Sequence, residues 1–197
     1  MSALGLALGS PFLLKRTASS PALTYATWNP ADKSAAHTLS GGNLVITNNN
    51  TGWTSTRGTI GRTSGKPQFE VAITANPSGA VIVGFGNASA SLASFVGADN
   101  NSAGCYAANG EKVSGGASNP FGFTSWTAGI LTVMFDLDAG NVYVKLNNGS
   151  PVLFGSGLVS EAFPMIAMYT ATEEVTANFG ATPLTYPEAG YELGWYE

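Results

Sequence analysis

The chain has 197 residues and a mass of 20.2 kDa, 44% of it apolar, which is enough to close one core and short for two. Only 10% of its residues are charged, against about 25% in an ordinary soluble domain, and glycine (25 residues) with Ser, Thr and Asn fills the gap, favouring turns and strands over surface helices. A net charge of −4 without any basic cluster excludes nucleic-acid binding through phosphates and attachment to an anionic membrane surface.

Residues 1–14 are apolar, and the first basic pair, Lys15-Arg16, follows them. A cleavable secretion signal has the opposite order, with positive charge first and small residues last, so none is read here. The run is also shorter than the roughly 20 residues of a membrane span, and Gly5, Gly9 and Pro11 weaken it as a helix. Leu4, Leu6, Leu8, Phe12, Leu13 and Leu14 read instead as an apolar assembly arm, residues 1–24. It docks on a neighbouring subunit or folds back on its own domain.

From Tyr25 to Tyr186 the pattern is short strands punctuated by turn residues. Phe69, Val71 and Ile73 alternate with Glu70 and Ala72, and Val81-Ile82-Val83-Gly84-Phe85 reads as a buried strand after a turn at residues 76–79. The clearest hairpin joins residues 130–137 to 141–146 through Asp138-Ala139-Gly140, with Asn148-Gly149 as a further turn of positive φ. Residues 165–169 and 175–179 are expected to pair with each other. No helical period, internal repeat or second domain follows the arm, so residues 25–197 form one domain with a short C-terminal tail.

In order along the chain stand Gly52-Trp53-x-Ser55-x-Arg57, Gly65-Lys66-Pro67-Gln68-Phe69-Glu70-Val71, Val81 to Phe85, Trp126-Thr127-Ala128-Gly129 running into Asp136-Leu137-Asp138, Val142-Tyr143 to Asn147, Phe163-Pro164, and Asn178-Phe179-Gly180. This ordered set resembles the SPRY (B30.2-like) family over residues 25–186. The resemblance implies an all-β fold, a bent antiparallel sandwich of the concanavalin-like jelly-roll type, here with an extended N-terminal arm. Pro67-Gln68 stand where the family usually carries aromatics, so the edge of that strand is expected to be altered. The arm has no counterpart in the family pattern.

Catalysis finds few supports. Asp136-x-Asp138-x-Gly140 opens like a calcium loop, but Asn147 stands where the bidentate Glu is needed, so a turn held by Asp138 explains it and no metal is expected. Glu173 and Glu174 are adjacent: on a strand they point to opposite faces, and in a loop both are solvated. His37 has no acid spaced to orient it and reads as a polar loop residue, while Cys105 reads as a small buried hydrophobe. Neither an enzyme nor a cofactor is expected.

Binding loops are the better candidates. Residues 48–53, 97–104 and 115–120 offer amides and hydroxyls for sugar or peptide hydrogen bonds. Asn100, Asn101 and Asn119 lie in them, and Trp53 and Arg57 are each either a ligand contact, Trp53 by stacking on a ring, or a core or edge packing residue. The resemblance implies a binding module presenting such loops to a protein or peptide. The Asn/Thr/Gly-rich, charge-poor texture is similar to SPRY-like domains of bacteriophage virions. The resulting expectation is a non-enzymatic, self-associating structural or adhesion subunit of a phage tail fibre or baseplate. It would be made in the host cytoplasm, docked to other virion proteins through its arm, and turned toward a host surface glycan or protein. A capsid decoration protein and a cellular SPRY adaptor for a short peptide are the alternatives.

Overall fold

A computed structural model describes residues 22–75, 78–155 and 161–197. The assembly-arm residues Leu4, Leu6, Leu8, Phe12, Leu13 and Leu14 lie outside these residues. Among the described residues there are fourteen strands, numbered in chain order, and no helix. The first sheet runs β1 (Trp28–Lys33), β4 (Thr54–Gly58), β13 (Phe163–Met168), β6 (Val81–Gly86), β7 (Ser102–Tyr106), β8 (Lys112–Ser114), β9 (Ala117–Asn119). The second runs β12 (Val152–Gly155), β11 (Asn141–Leu146), β10 (Ile130–Asp136), β5 (Gln68–Ala75), β14 (Glu174–Asn178), β3 (Val45–Asn48), β2 (His37–Ser40). All pairings are antiparallel, and the sheets pack face to face as a sandwich.

Between the sheets lies an aromatic core. Trp195 meets Phe135 edge-on at 4.9 Å and Phe69 at 5.9 Å, and its indole N–H donates to the Ile60 carbonyl at 2.9 Å. The C-terminal residues are therefore part of the core rather than a tail: Ala26 donates its N–H to Trp195 O, and Thr24 and Glu197 exchange both backbone bonds at 3.0 Å. Strand alternation assigns the two faces of the first sheet. Val81, Val83, Cys105, Ile166 and Met168 enter the main core, while Ile82, Met165, Ala167 and Val113 form a second cluster on the outer face. That is why residues 81–84 read as a continuous apolar run.

Several local expectations are corrected. Residues 165–169 and 175–179 do not pair, since β13 and β14 belong to different sheets; their apolar patterns reflect burial in one core from opposite sides. Pro67 leaves β5 in the middle of its sheet, between β10 and β14, because β5 begins only at Gln68. The buried run there extends from Gln68 through Val71 without alternation. The hairpin of β10 and β11 forms as read, with Gly140 at φ 70°, but Asp136 rather than Asp138 accepts from the turn, through Ala139 N–H at 3.1 Å. Asp138 reaches instead to Gly65 N–H. In the following turn the positive φ falls on Asn147 (51°), whose side-chain oxygen accepts from Ile130 N–H.

Candidate functional site

On the outer face of the first sheet a pocket of 170 Å³ is lined by Trp53, Ile82, Phe95, Tyr106, Val113, Gly116 and Ser118. Its walls are apolar because these strand positions alternate outward beneath the segment 87–97. Trp53 is half-buried and meets Phe95 at 6.1 Å and Tyr106 at 5.9 Å edge-on. Tyr169, 41% exposed, tilts onto Trp53 at 5.5 Å and extends the aromatic surface outward. Of the four tryptophans, Trp28, Trp126 and Trp195 are fully buried. Trp53 alone is solvent-accessible in part.

The strand after Trp53 fixes the wall opposite it. Ser55 Oγ donates to Ser94 O at 2.6 Å, and Ser55 N–H to Leu92 O at 2.9 Å. Arg57, buried, donates to the carbonyls of Ala88 and Ala90, pairs with Asp32 at 2.9 Å and lies over the Phe163 ring. Alternation along β4 sends Ser55 and Arg57 to one side, so the pair staples the segment that carries Phe95. The Arg57 guanidinium thus faces the Ala88 and Ala90 carbonyls and the Asp32 carboxylate.

Residues 112–119, whose second half was expected as a loop, form the β8–β9 hairpin around Gly115 and Gly116, both at positive φ (58° and 78°). Such a two-residue turn matches the strand twist only with φ positive at both positions. The hairpin divides two recesses. Val113, Gly116 and Ser118 face the Trp53 pocket, while Ser114 and Gly115 line a second cleft of 280 Å³ with Asn87, Asn100, Asn101 and Glu161. In that cleft Asn87 Nδ2 donates to Asn101 Oδ1, and Asn101 is itself held by Asp99. Asn100 is exposed. Asn119 is exposed on the edge strand β9 and lines neither recess. Phe95, Tyr106 and Tyr169 escaped the sequence reading, since aromatics inside apolar runs give no sign of which face they take.

His37, Glu173 and Cys105, the titratable groups weighed for catalysis, are buried in the scaffold. His37 is not a loop residue: it is 1% exposed on β2, with Nδ1 2.7 Å from Thr56 Oγ1 and Nε2 3.2 Å from Thr54 Oγ1. A neutral imidazole donates through one nitrogen and accepts through the other. Burial, and then the charge of Lys33, lower its pKa to about 4. Glu173 and Glu174 point to opposite faces. Glu174 accepts from Thr47 and Thr74, while Glu173 is fully buried, accepts from Ser78 N–H and Oγ–H, and is held above the usual carboxylate range by desolvation. Cys105 is buried, and desolvation pushes its thiol up to about 12, which leaves no thiolate for chemistry. Among the described residues no three His, Cys, Asp or Glu side chains cluster as metal ligands.

No family model matches the chain. It is similar to Ran-binding protein 9 of Xenopus tropicalis, 27% identical over 177 residues that cover 85% of this chain and 32% of that protein. The Xenopus laevis protein gives the same identity and coverage. The chain thus spans about a third of the length of these curated relatives. Among solved structures, the SPRY domain of human HERC1 superposes with a TM-score of 0.67 at 18% identity, covering 76% of this chain and 96% of that one. The TRIM65 PSpry domain gives 0.66 at 12% identity, covering 79% and 92%. The chain has the SPRY-domain fold, an all-β sandwich of two antiparallel sheets.

Proposed function

We propose that this SPRY-fold protein is a non-enzymatic binding module whose Trp53 pocket takes one apolar side chain from an extended segment of a protein partner. The observation that carries this reading is an apolar recess walled by the partly exposed rings of Trp53, Phe95 and Tyr106, with Tyr169 against Trp53 beside it, in a charge-poor chain. Aromatic recesses of this kind supply the buried anchor of an interface, and a hydroxyl in the lining, Ser118, supplies orientation. Likeness to Ran-binding protein 9 supports a protein rather than a small metabolite as ligand. For the setting we propose a bacteriophage particle, as a tail or baseplate adhesion subunit. The support is the scarcity of charge, which suits a surface packed among many copies.

The test is selection of peptides from a random display library on the full chain. Enriched peptides sharing an apolar residue should shield Trp53 from acrylamide quenching, and binding should fall at least tenfold in Trp53→Ala at a temperature where circular dichroism shows the variant fully folded. Peptides that bind the Trp53→Ala and Phe95→Ala variants as well as the parent would refute the pocket. Immuno-electron microscopy of infected-cell particles decides the setting, and a protein absent from particles is not a virion subunit.

A further inference from the structure

The cleft of 280 Å³ across the β8–β9 hairpin from the Trp53 pocket has a different chemistry. Three asparagines line it, Asn87, Asn100 and Asn101, together with Ser114, a single carboxylate, Glu161, and the partly exposed ring of Phe85. No cationic side chain stands among its described lining residues. Phe85 is held edge-on against Phe135 at 5.4 Å and Phe154 at 6.1 Å, so its ring is a fixed part of the wall.

Two of the amides are oriented from behind. The Asp99 carboxylate can only accept, and it takes the Asn101 backbone N–H at 2.8 Å and Asn101 Nδ2–H at 3.3 Å. Asn101 Oδ1 is thereby left for Asn87, whose Nδ2 donates to it at 3.2 Å, and Asn87 Oδ1 accepts in turn from Ser89 N–H at 2.8 Å. Each Nδ2 keeps a second hydrogen for which the described residues supply no acceptor. The side chains of Asn100, Ser114 and Glu161 likewise have no hydrogen-bond partner among the described residues. Gly115 at the hairpin tip gives Asn100 its room, since a Cβ there would lie 3.0 Å from Asn100 Oδ1.

These unmet groups select a class of ligand. Amide N–H groups require acceptors and a carboxylate requires donors, and a hydroxyl is both. An ammonium or guanidinium carries donors only and leaves the amides unmet, while a phosphate, sulfate or carboxylate is repelled by Glu161 and by Asp99 behind Asn101. A single trans peptide unit has one donor and one acceptor pointing opposite ways, so it meets fewer of these groups than a ring bearing several hydroxyls. We propose that this cleft binds one ring of a neutral saccharide. Asn87, Asn100 and Asn101 donate to its hydroxyl oxygens, Glu161 accepts from its hydroxyls, and Phe85 lies against its C–H surface. Because Asp99 and Ser89 already fix two of the amides, little side-chain freedom is lost on binding. The site is separate from the Trp53 pocket and does not rest on the reading given for it.

The experiment screens the full chain on an array of neutral and anionic glycans, then titrates the 15N-labelled protein with the methyl glycosides of the sugars in the glycans it retains. Neutral glycans should be retained in preference to sialylated and sulfated ones. The matching methyl glycoside should shift the side-chain amide signals of Asn87, Asn100 and Asn101 saturably and leave that of exposed Asn119 in place. Binding should weaken at least tenfold in Asn100→Ala and in Glu161→Ala, both folded by circular dichroism, and should be unchanged in folded Trp53→Ala. Retention of no glycan, or of anionic ones only, would overturn the proposal, as would shifts that spread to Asn119 or undiminished binding in the two cleft variants. Loss of binding in Trp53→Ala would move the saccharide to the other pocket and overturn it too. Displayed peptides that shift the three amides where no saccharide does would assign the cleft to a peptide instead.

Discussion

Arg57 donates from Nη2 to the carbonyl of Ala90 at 2.7 Å, across the outer face of the first sheet. With the Ala88 bond and the Asp32 ion pair it converts a surface segment into a fixed wall, the one that holds Phe95 against Trp53. Arg57→Ala leaves these acceptors unpaired and should cost about 3 kcal/mol. Arg57→Lys should recover little, because an ammonium cannot span two carbonyls and a carboxylate as the planar fork does. Denaturant midpoints measure the cost. Increased acrylamide access to Trp53 in both variants is the expected sign that the wall has loosened, and unchanged access would show that Phe95 is held by other means.

Trp53 and Trp195 separate surface from core. Trp195→Ala empties a fully buried site against Phe69 and Phe135 and should cost about 3–5 kcal/mol. Trp53→Ala should cost less, about 1–2 kcal/mol, since its ring is only partly buried. Equal losses in urea titration would place Trp53 in the core.

His37 makes stability pH-dependent. Its folded pKa, about 4, lies below the unfolded value near 6.5, so between these values the unfolded chain binds a proton that the folded chain does not. Stability contributed by the neutral imidazole is therefore present above pH 6.5 and is lost as pH falls toward 4, by about 3 kcal/mol in all. His37→Gln retains hydrogen bonding to Thr54 and Thr56 without titrating. The parent-minus-variant difference should fall steadily from pH 7 to pH 4, and a flat difference would exclude His37 as its source. Glu173, raised by burial, acts in the opposite direction and cancels in this comparison.

Gly97 has φ 92°, and a Cβ there would lie 2.3 Å from the Val113 carbonyl oxygen. Gly97→Ala should destabilise the protein by at least about 2 kcal/mol and free the β8–β9 hairpin, which is tied to residues 97–99 by Gly116 N–H to Gly97 O and Gly115 N–H to Asp99 O. Amide exchange should accelerate at Gly115 and Gly116 more than at β6. Uniform protection would show that the hairpin does not depend on this approach.

Much of the fold is legible along the chain because strand formation and turn chemistry are local. Alternation and glycine placement located β6 and the β10–β11 hairpin, and one charge in ten residues pointed to a strand-and-turn protein. Pairing was not legible where partners are remote. β13 and β14 carry similar apolar patterns, yet they lie in opposite sheets, and nothing within ten residues distinguishes a hairpin from a crossover.

The candidate site divides in the same way. Trp53 stood out because it belongs to an ordered motif, but its neighbours come from β6, β7, the 87–97 segment and the β8–β9 hairpin, positions far apart in sequence. Local residue types thus pointed to an all-β chain that is not basic and carries few charges. Closing the sheets determined the rest: which face each strand residue takes, that Arg57 holds the 87–97 segment through its carbonyls, and that aromatics remote in sequence gather around one recess. Burial on a sheet is a property of both its faces, and the second face exists only once distant segments have folded over it.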